Sequence, residues 1–222
     1  MSKLTWIGVG LLVIGVTAVG QVPRPSITAT GDASVSATPD QATVAVAVSN
    51  TASTAQDAGS QNAAQTSAVI SALRAVMAAS DVLKTVSYSL NPNYNNAGVL
   101  TGYTATNTVQ VTTNDLTTTG KLIDTATQSG ATRVQSLSFG LKDSNPLRAQ
   151  ALKLAAAQAQ IQVAAIAAGL NVKTGNVIAA SDGSTVSPLV STPGLAASSA
   201  TPIVTGTVQV SASVRLQVEV VP

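Results

Sequence analysis

The sequence has 222 residues, of which 45% are hydrophobic types and 9% are charged, and its formal net charge at pH 7 is +2. This hydrophobic content excludes a disordered chain, and the length suits one large domain. The eleven basic and nine acidic residues form no run of Lys or Arg, so nucleic-acid binding is not expected. Cys and His are absent, which excludes disulfides, thiolate nucleophiles, imidazole bases and zinc or haem sites that need these ligands.

Residues 1–20 have the outline of a secretory signal peptide. Lys3 precedes an apolar stretch, and Ala18 with Gly20 places small residues at the positions before a cut at Gln21. We therefore expect cleavage between Gly20 and Gln21, with the proline-containing residues 21–25 as a linker. The alternative is an uncleaved anchor in the inner membrane, facing the periplasm. Both interpretations export residues 26–222 to the periplasm or cell envelope.

The first part of the exported chain predicts two strands and a long helix. Ile27–Thr30 and Thr43–Ser49 have strand-like patterns, and Gly31-Asp32 and Pro39-Asp40 are typical of turns. A capping-box-like Thr54-Ala-Gln-Asp57 predicts a helix that continues to about Ala79. The predicted apolar stripe of this helix is Val69, Leu73 and Val76, beside Ile70 and Met77.

The middle of the chain predicts a hairpin, a short helix and a strand. Alternation around Val86–Leu90 and over Tyr103–Thr113 indicates two strands, joined by a loop at Asn91–Gly98. Asn114 or Asp115 can cap a short helix that ends at Ser129-Gly130. A strand is expected from about Arg133 to Phe139.

The last part predicts a second long helix and a strongly alternating strand. The helix starts at Asp143-Ser-Asn-Pro146 and stops at Gly169. A strand near Val172–Ala180 follows, then a loop rich in Ser, Thr and Pro over Ser181–Gly206, then a strand over Thr207–Val220 with valines on one face. The predicted stripe of the second helix is Leu147, Ala151, Leu154, Ile161, Ala165 and Ala168.

The order of these elements predicts an α+β fold with a mainly antiparallel sheet and two long helices. Each half contains a strand, a long helix and a hairpin, which is a βαββ arrangement. Thr108-Val-Gln-Val111 and Thr207-Val-Gln-Val210 occupy similar places in the two halves. An ancient duplication explains this pattern.

Several segments, in a fixed order, resemble the SIMPL-domain (DUF541) family. Thr30-Gly31, Pro39-Asp40 and Ala42-Thr43-Val44 resemble its start, and Gly102 to Val111 resembles its central segment. The resemblance covers about residues 26–220 and implies an exported or periplasmic protein linked to envelope and oxidative-stress phenotypes, with ring-like assembly in one relative and no assigned catalytic site. The signature positions are Gly31, Pro39, Asp40, Gly102, Tyr103 and Asn107.

No residues are expected to be catalytic, to bind a cofactor or to bind a metal. The carboxylates fall mostly at turns and helix starts, where capping explains them; they are Asp32, Asp40, Asp57, Asp115, Asp124 and Asp143. Gly120-Lys121 lacks the rest of a phosphate-binding loop, and neither Asp143-Ser-Asn145 nor Asp182-Gly-Ser184 continues into a calcium loop. Arg74, Arg133, Arg148 and Arg215 are expected to be single charges. Tyr88, Tyr94 and Tyr103 are expected to pack at the core or an edge, and the alternative is a contact surface around the hairpin.

Three functions remain open from the sequence. The first is a non-enzymatic envelope protein with a structural or stress-protective role, which forms homo-oligomers because its neutral Thr/Val strands do not discourage pairing; an envelope protein is a further partner. The second is a periplasmic binding module that uses the Asn-rich hairpin tip and the Ser181–Gly206 loop. The third is a hydrolase without His or Cys. Membrane contact is expected only through the N-terminal segment or by peripheral association.

Overall fold

The computed structural model of the protein describes residues 24–183, 189–191 and 205–221. These residues form two antiparallel sheets, three α-helices and a short 3-10 helix. The predicted α+β class is therefore confirmed, whereas the predicted signal peptide and its cleavage at Gly20 and Gln21 lie outside the described residues. The strands are β1 Ser26–Ala37, β2 Gln41–Ala52, β3 Val82–Tyr94, β4 Leu100–Thr113, β5 Arg133–Gly140, β6 Lys173–Asp182, β7 Leu189–Ser191 and β8 Thr207–Val221. The helices are α1 Ala55–Val76, the 3-10 helix Leu116–Thr118, α2 Thr119–Gln128 and α3 Asn145–Gly169.

The first sheet has the strand order β3-β4-β2-β5, and α1 and α2 cover one of its faces. The predicted alternation in β2 is confirmed, because its valines point into this core. Thr54 caps α1 as expected: its hydroxyl accepts from the Asp57 amide at 3.1 Å and donates to the Asp57 carboxylate at 2.7 Å. The core consists of Val44, Val46, Val48, Val69, Leu73, Val109, Val111, Leu122, Ile123, Ala126 and Ala131.

A buried amide connects α1 to this sheet. Asn62 is fully buried, and its Nδ2 donates to the carbonyl oxygens of Val48 at 2.8 Å and Ala105 at 3.2 Å. These two carbonyls belong to the neighbouring strands β2 and β4. Because a buried amide without partners is costly, Asn62 fixes the position of α1 along the strands.

The second sheet has the order β1-β8-β6, with the short β7 also paired to β8, and α3 lies across β1 and β8. The predicted valine face of β8 is confirmed, since Val208, Val210, Val214 and Val218 are buried. The strands β1 and β8 pair from Ser26 opposite Glu219 to Ala37 opposite Val208. The two ends of the described chain therefore lie side by side in one sheet.

The two halves are joined by the pairing of β2 with β5, the strands that precede the two long helices. The predicted order recurs as β2-α1-β3-β4 and β5-α3-β6-β8, with β7 inserted. However, β5 pairs with β2 in the first sheet, and β1 pairs with β8 in the second. Each sheet thus contains a strand contributed from outside its own βαββ unit.

Two predicted turns are wrong in part. Gly31-Asp32 lies inside β1, opposite Val214 and Ser213. The glycine is needed there because a side chain would overlap the backbone of α3, and not because the chain turns. The hairpin loop is shorter than Asn91–Gly98, since β3 continues to Tyr94 and Asn93 still pairs with Gly102. Pro39-Asp40 does lie in the connection between β1 and β2.

Two further predictions need correction. The buried stripe of α3 shares only Ala151 with the predicted one, and Leu154 and Ile161 point outwards with exposed fractions of 48% and 63%. The sheet-facing side is mostly alanine because β1 comes close to the α3 backbone at Ala155 and Ala159. The Ser181–Gly206 loop is not wholly irregular, because Leu189–Ser191 pairs with β8; most of this loop lies outside the described residues. The buried α3 residues are Ala151, Ala155, Ala159, Val163 and Ala167.

Candidate interaction surfaces

The signature residues near the start of the domain shape the fold. A Cβ at Gly31 would overlap the Ala155 carbonyl oxygen and the Ala159 amide nitrogen of α3. The Asp40 carboxylate accepts from the Lys142 amide at 2.7 Å, and its own amide donates to the Gly140 carbonyl at 3.1 Å. Gly31 thus sets the helix-to-sheet distance, and Asp40 ties the β1–β2 connection to the end of β5.

The central signature residues lie on β4. Gly102 has φ +151°, and a Cβ there would lie 2.6 Å from the Ala52 carbonyl oxygen. Tyr103 is opposite Ala52, and Asn107 is opposite Val48 on one side and Tyr88 on the other. The Oδ1 of Asn107 is buried without a hydrogen-bond partner among the described residues. Gly31, Asp40 and these β4 residues lie on different elements and do not form one site.

The carboxylates act mostly as caps, as predicted. Asp57 completes the α1 cap, Asp115 accepts from the Thr117 amide at 3.0 Å, and Asp143 accepts from the Asn145 amide at 2.9 Å. Among the described residues, no three Asp or Glu side chains lie together in a way that would hold a metal ion. The arrangement therefore offers hydrogen bonds that end helices and turns rather than a cluster of acids.

Among the remaining polar candidates, one prediction is wrong. Arg148 is not a single charge: its Nη2 lies 2.7 Å from the Asp182 carboxylate, which connects the start of α3 to the end of β6. Gly120-Lys121 lies within α2, as the solvated-helix interpretation expects. Tyr88 and Tyr94 lie exposed on β3, an edge strand. Their exposure fits the alternative interpretation, a contact surface around the hairpin, rather than packing against the core or its edge.

Exposed apolar side chains concentrate on the β3–β4 hairpin. Half of the large apolar side chains that are exposed in the described chain belong to it, and Tyr88 and Tyr94 are 54% and 62% exposed. Lys84 is the single charged residue between Val82 and Thr113. Clustered exposed apolar groups mark interaction sites more often than scattered ones do. This hairpin surface comprises Val82, Val86, Tyr88, Leu90, Tyr94, Val99 and Leu100.

A second exposed apolar surface lies on α3 and β6. Leu154, Ile161, Ile166 and Leu170 are exposed along or just beyond the helix. Among the described residues, α3 is also the one helix whose length and hydropathy would let it cross a membrane, and 28% of that stretch is buried. It packs on β1 and β8 through one narrow stripe, so most of its circumference is open.

A cleft lies where the two sheets meet. Its volume is about 300 Å³, and Phe139 of β5 faces Val208 and Val210 of β8 across it. Gln41 and Gln209 supply amide groups, and no charged residue lines the cleft within the described part of the chain. Hydroxyl groups come from Thr43, Ser138 and Ser144. Such a cleft can accept a small uncharged group, and its volume is at the lower limit of small-molecule sites.

Comparison with known proteins gives one family and several relatives. A family model described as SIMPL, a protein of unknown function (DUF541), matches residues 27–218. The uncharacterized protein YggE of Escherichia coli strain K12 is 31% identical over 156 residues, which are 69% of this chain and 63% of YggE. The YggE proteins of Escherichia coli O157:H7 and Shigella flexneri match with the same identity and coverage. The match thus spans less than two thirds of the length of these relatives.

Proposed function

The chain belongs to the SIMPL family of proteins of unknown function (DUF541), and on this basis we propose that it is a non-enzymatic, exported envelope protein that associates with copies of itself. Its role is structural or stress-protective. Two features support the proposal: several carboxylates, among them Asp57 and Asp115, act as caps, and many exposed apolar groups lie on the β3–β4 hairpin. The observation that carries it is the edge strand β3.

The strand β3 combines length, neutrality and exposure. Among the described residues it pairs with β4 alone, which leaves its outer row of N–H and C=O groups open to a further strand. Folded proteins usually protect such an edge with charges, prolines or short strands. Here Lys84 and Pro92 stand near the two ends, and the seven residues between them, Thr85–Asn91, carry no charge and no proline.

This neutral stretch predicts its own register. Thr85–Asn91 is centred on Tyr88, so antiparallel pairing of two β3 strands places Tyr88 directly opposite Tyr88 of the second copy. The same register sets Ser87 opposite Ser89, whereas Val86 lies at a β-bulge between Thr85 and Ser87. Aromatic and aliphatic pairs across strands each contribute roughly 0.2–1 kcal/mol beyond the main-chain bonds. The contact is two-fold symmetric, which is the commonest symmetry of soluble oligomers.

Light scattering on the exported protein tests this contact. We expect a particle larger than one chain for the unmodified protein. Tyr88→Lys places two like charges opposite each other at the symmetry axis, and we expect it to weaken association by at least roughly tenfold, equivalent to about 1.4 kcal/mol. Because Tyr88 is 54% exposed, its loss is expected to leave folding intact, which circular dichroism checks.

Val134→Lys is the matched control, because Val134 is exposed on β5, the opposite edge of the same sheet. We expect this variant to associate like the unmodified protein. Dissociation by Val134→Lys and Tyr88→Lys alike would instead show head-to-tail pairing of β3 with β5, and would contradict the two-fold contact. A single-chain mass for the unmodified protein at every concentration would contradict self-association altogether.

Export is proposed on the N-terminal sequence and tested separately. We expect the mature protein to begin at Gln21, after removal of residues 1–20. Mass spectrometry of the protein from the periplasmic fraction measures this directly. Recovery of a chain that still carries Met1 in the membrane fraction would favour the anchored alternative, and recovery in the cytosol would contradict export.

A second candidate is a binding module, and the cleft between the sheets favours it. Its apolar side chains, two amides and three hydroxyls suit a small uncharged ligand. Phe139→Trp puts a fluorescent reporter in the cleft, where the mature chain is expected to contain no other tryptophan, since Trp6 lies in the signal segment. A saturable emission change with a neutral, non-fluorescent probe such as cyclohexanol would support this function.

A further inference from the structure

The helix α3 places its small residues and its large residues on different sides. Every fourth residue from Ala151 to Ala167 is buried against β1 and β8, and four of these five are alanines. Gly31 allows this close approach, because any side chain there would overlap the helix backbone. The large side chains of Leu154 and Ile161 are thus exposed on the outward side of α3 in the described part of the chain.

The outward side has a different spacing. Leu147, Leu154, Ile161 and Ala168 recur every seven residues, with Ala157 and Ala164 three residues after two of them. Leu154 and Ile161 are exposed, and Ala157, Ala164 and Ala168 are exposed as well. We call these six residues the outer seam. A seven-residue repeat of this kind is what a helix presents to a second helix in a coiled coil.

The charge pattern agrees with a helical partner of the same kind. Arg148 and Lys153 are the charged residues of α3, and neither belongs to the outer seam. Arg148 is already paired with Asp182. A partner helix recognised by charge would require charges along the seam, whereas an identical, neutral helix requires none.

We propose that the outer seam docks antiparallel on the outer seam of a second copy of this chain. In an antiparallel pair, the first residue of each heptad faces the fourth of the partner helix. A symmetry axis near Ala159 sets Leu154 against Ala164 of the second copy and Ile161 against Ala157, so each large side chain meets a small one. The arrangement extends the proposed self-association through a surface separate from β3.

The size of the contact explains why a second interface is useful. A 25-residue helix is roughly 37 Å long, and a stripe of about 10 Å on each of two helices buries roughly 700 Å² in total. Stable dimers bury about 1,200–2,000 Å². The α3 pair is therefore a weak contact by itself. Combined with a two-fold contact at β3, it links chains into assemblies larger than a dimer.

Cysteine cross-linking tests this arrangement, because the natural chain contains no cysteine. Ala157→Cys and Ile161→Cys proteins are mixed and treated with a short bismaleimide. Both carry Tyr88→Lys, which weakens the β3 contact, so failure of α3 docking is separate from failure at β3. We expect a cross-linked heterodimer. Gln160→Cys in place of Ile161→Cys is the control, since residue 160 points about 100° away around the helix.

The alternative outcomes contradict the proposal in different ways. A parallel pair would be indicated if two Ile161→Cys proteins cross-linked to each other more strongly than the mixed pair does. Cross-linking no stronger than that of the Gln160→Cys control would contradict the α3 contact. This conclusion would hold even if association through β3 were confirmed. Ile161→Glu is expected to weaken the residual association at least about tenfold with unchanged circular dichroism. If the protein bound neutral phosphatidylcholine vesicles and Ile161→Glu abolished this binding, the helix would face a membrane instead.

Discussion

Replacing Gly31 by alanine tests how α3 is held on the second sheet. Gly31 lies within β1 opposite Val214, where the extended backbone suits any residue. The added Cβ would overlap the Ala155 carbonyl oxygen and the Ala159 amide nitrogen, and would lie 3.0 Å from the Ala159 Cα. All three are backbone atoms, so no rotamer change can relieve the overlap. The helix as a whole must move away from β1.

The expected loss of stability follows from that movement. A gap of 0.5–1 Å removes roughly a quarter to a half of the attraction between packed atoms, and the buried alanine stripe runs along most of α3. Overpacking costs about 1–3 kcal/mol, and the lower chain entropy of alanine in the unfolded state returns about 0.4–1 kcal/mol. We expect a net loss of about 2 kcal/mol. This corresponds to a fall in Tm of roughly 4–8 °C for a domain of this size.

Thermal and denaturant unfolding of Gly31→Ala measures this loss. Gly140→Ala is the matched control. Gly140 is also a strand residue, at the end of β5, and a Cβ there would meet no atom within 4 Å. We expect the control to change stability by less than about 0.5 kcal/mol. If Gly31→Ala were as stable as the control, the close approach of α3 to β1 would not exist, and the physical reason given for the alanine stripe would be wrong.

Three further changes address other parts of the fold. Asn62→Ala removes the amide that donates to Val48 and Ala105. Chemical denaturation is expected to show a loss of roughly 2–3 kcal/mol in the free energy of unfolding. A change within error would show that α1 does not depend on this amide. Thr54→Ala removes the α1 cap and is expected to cost about 1 kcal/mol, with Thr54→Ser retaining the stability. Gly102→Ala forces a side chain onto a backbone at φ +151°; we expect a loss of about 1–3 kcal/mol, and an unchanged Tm would contradict the strain.

Local patterns predicted most of the elements correctly. The alternation over Thr207–Val220 gave β8 and its buried valine face, and Thr54 with Asp57 gave the start of α1. These features depend on residues a few positions apart, so their physical cause lies within the segment. The family resemblance likewise depended on short segments in a fixed order, and it is confirmed.

The wrong predictions depend on partners that are distant in sequence. Gly31 resembles a turn residue until Ala155 is known to lie against it. The apolar stripe through Leu154 and Ile161 was identified in the sequence, yet hydrophobic spacing does not tell whether the partner is the chain's own sheet or another molecule. The ion pair between Arg148 and Asp182 spans 34 residues and leaves no local signal.

The sequence predicts which type of surface favours association, but it does not predict which strand or helix face carries that surface. Neutral Thr/Val strands indicated an edge that favours pairing, but any of several strands fitted that description. Only the sheet order identifies β3 as an edge and β4 as its single neighbour. The seven-residue spacing of the outer seam is visible in the sequence, and its meaning appears once the buried side of α3 is known.

Sedimentation velocity of the mature, exported protein, recorded over a wide range of concentration, tests the central claim most directly. We expect species larger than a dimer. Tyr88→Lys is expected to shift them towards weak α3-linked dimers, and Tyr88→Lys with Ile161→Glu towards single chains. A single sharp boundary at the mass of one chain throughout the range would contradict this claim, because the exposed surfaces of β3 and α3 would then have no role in holding copies of the protein together.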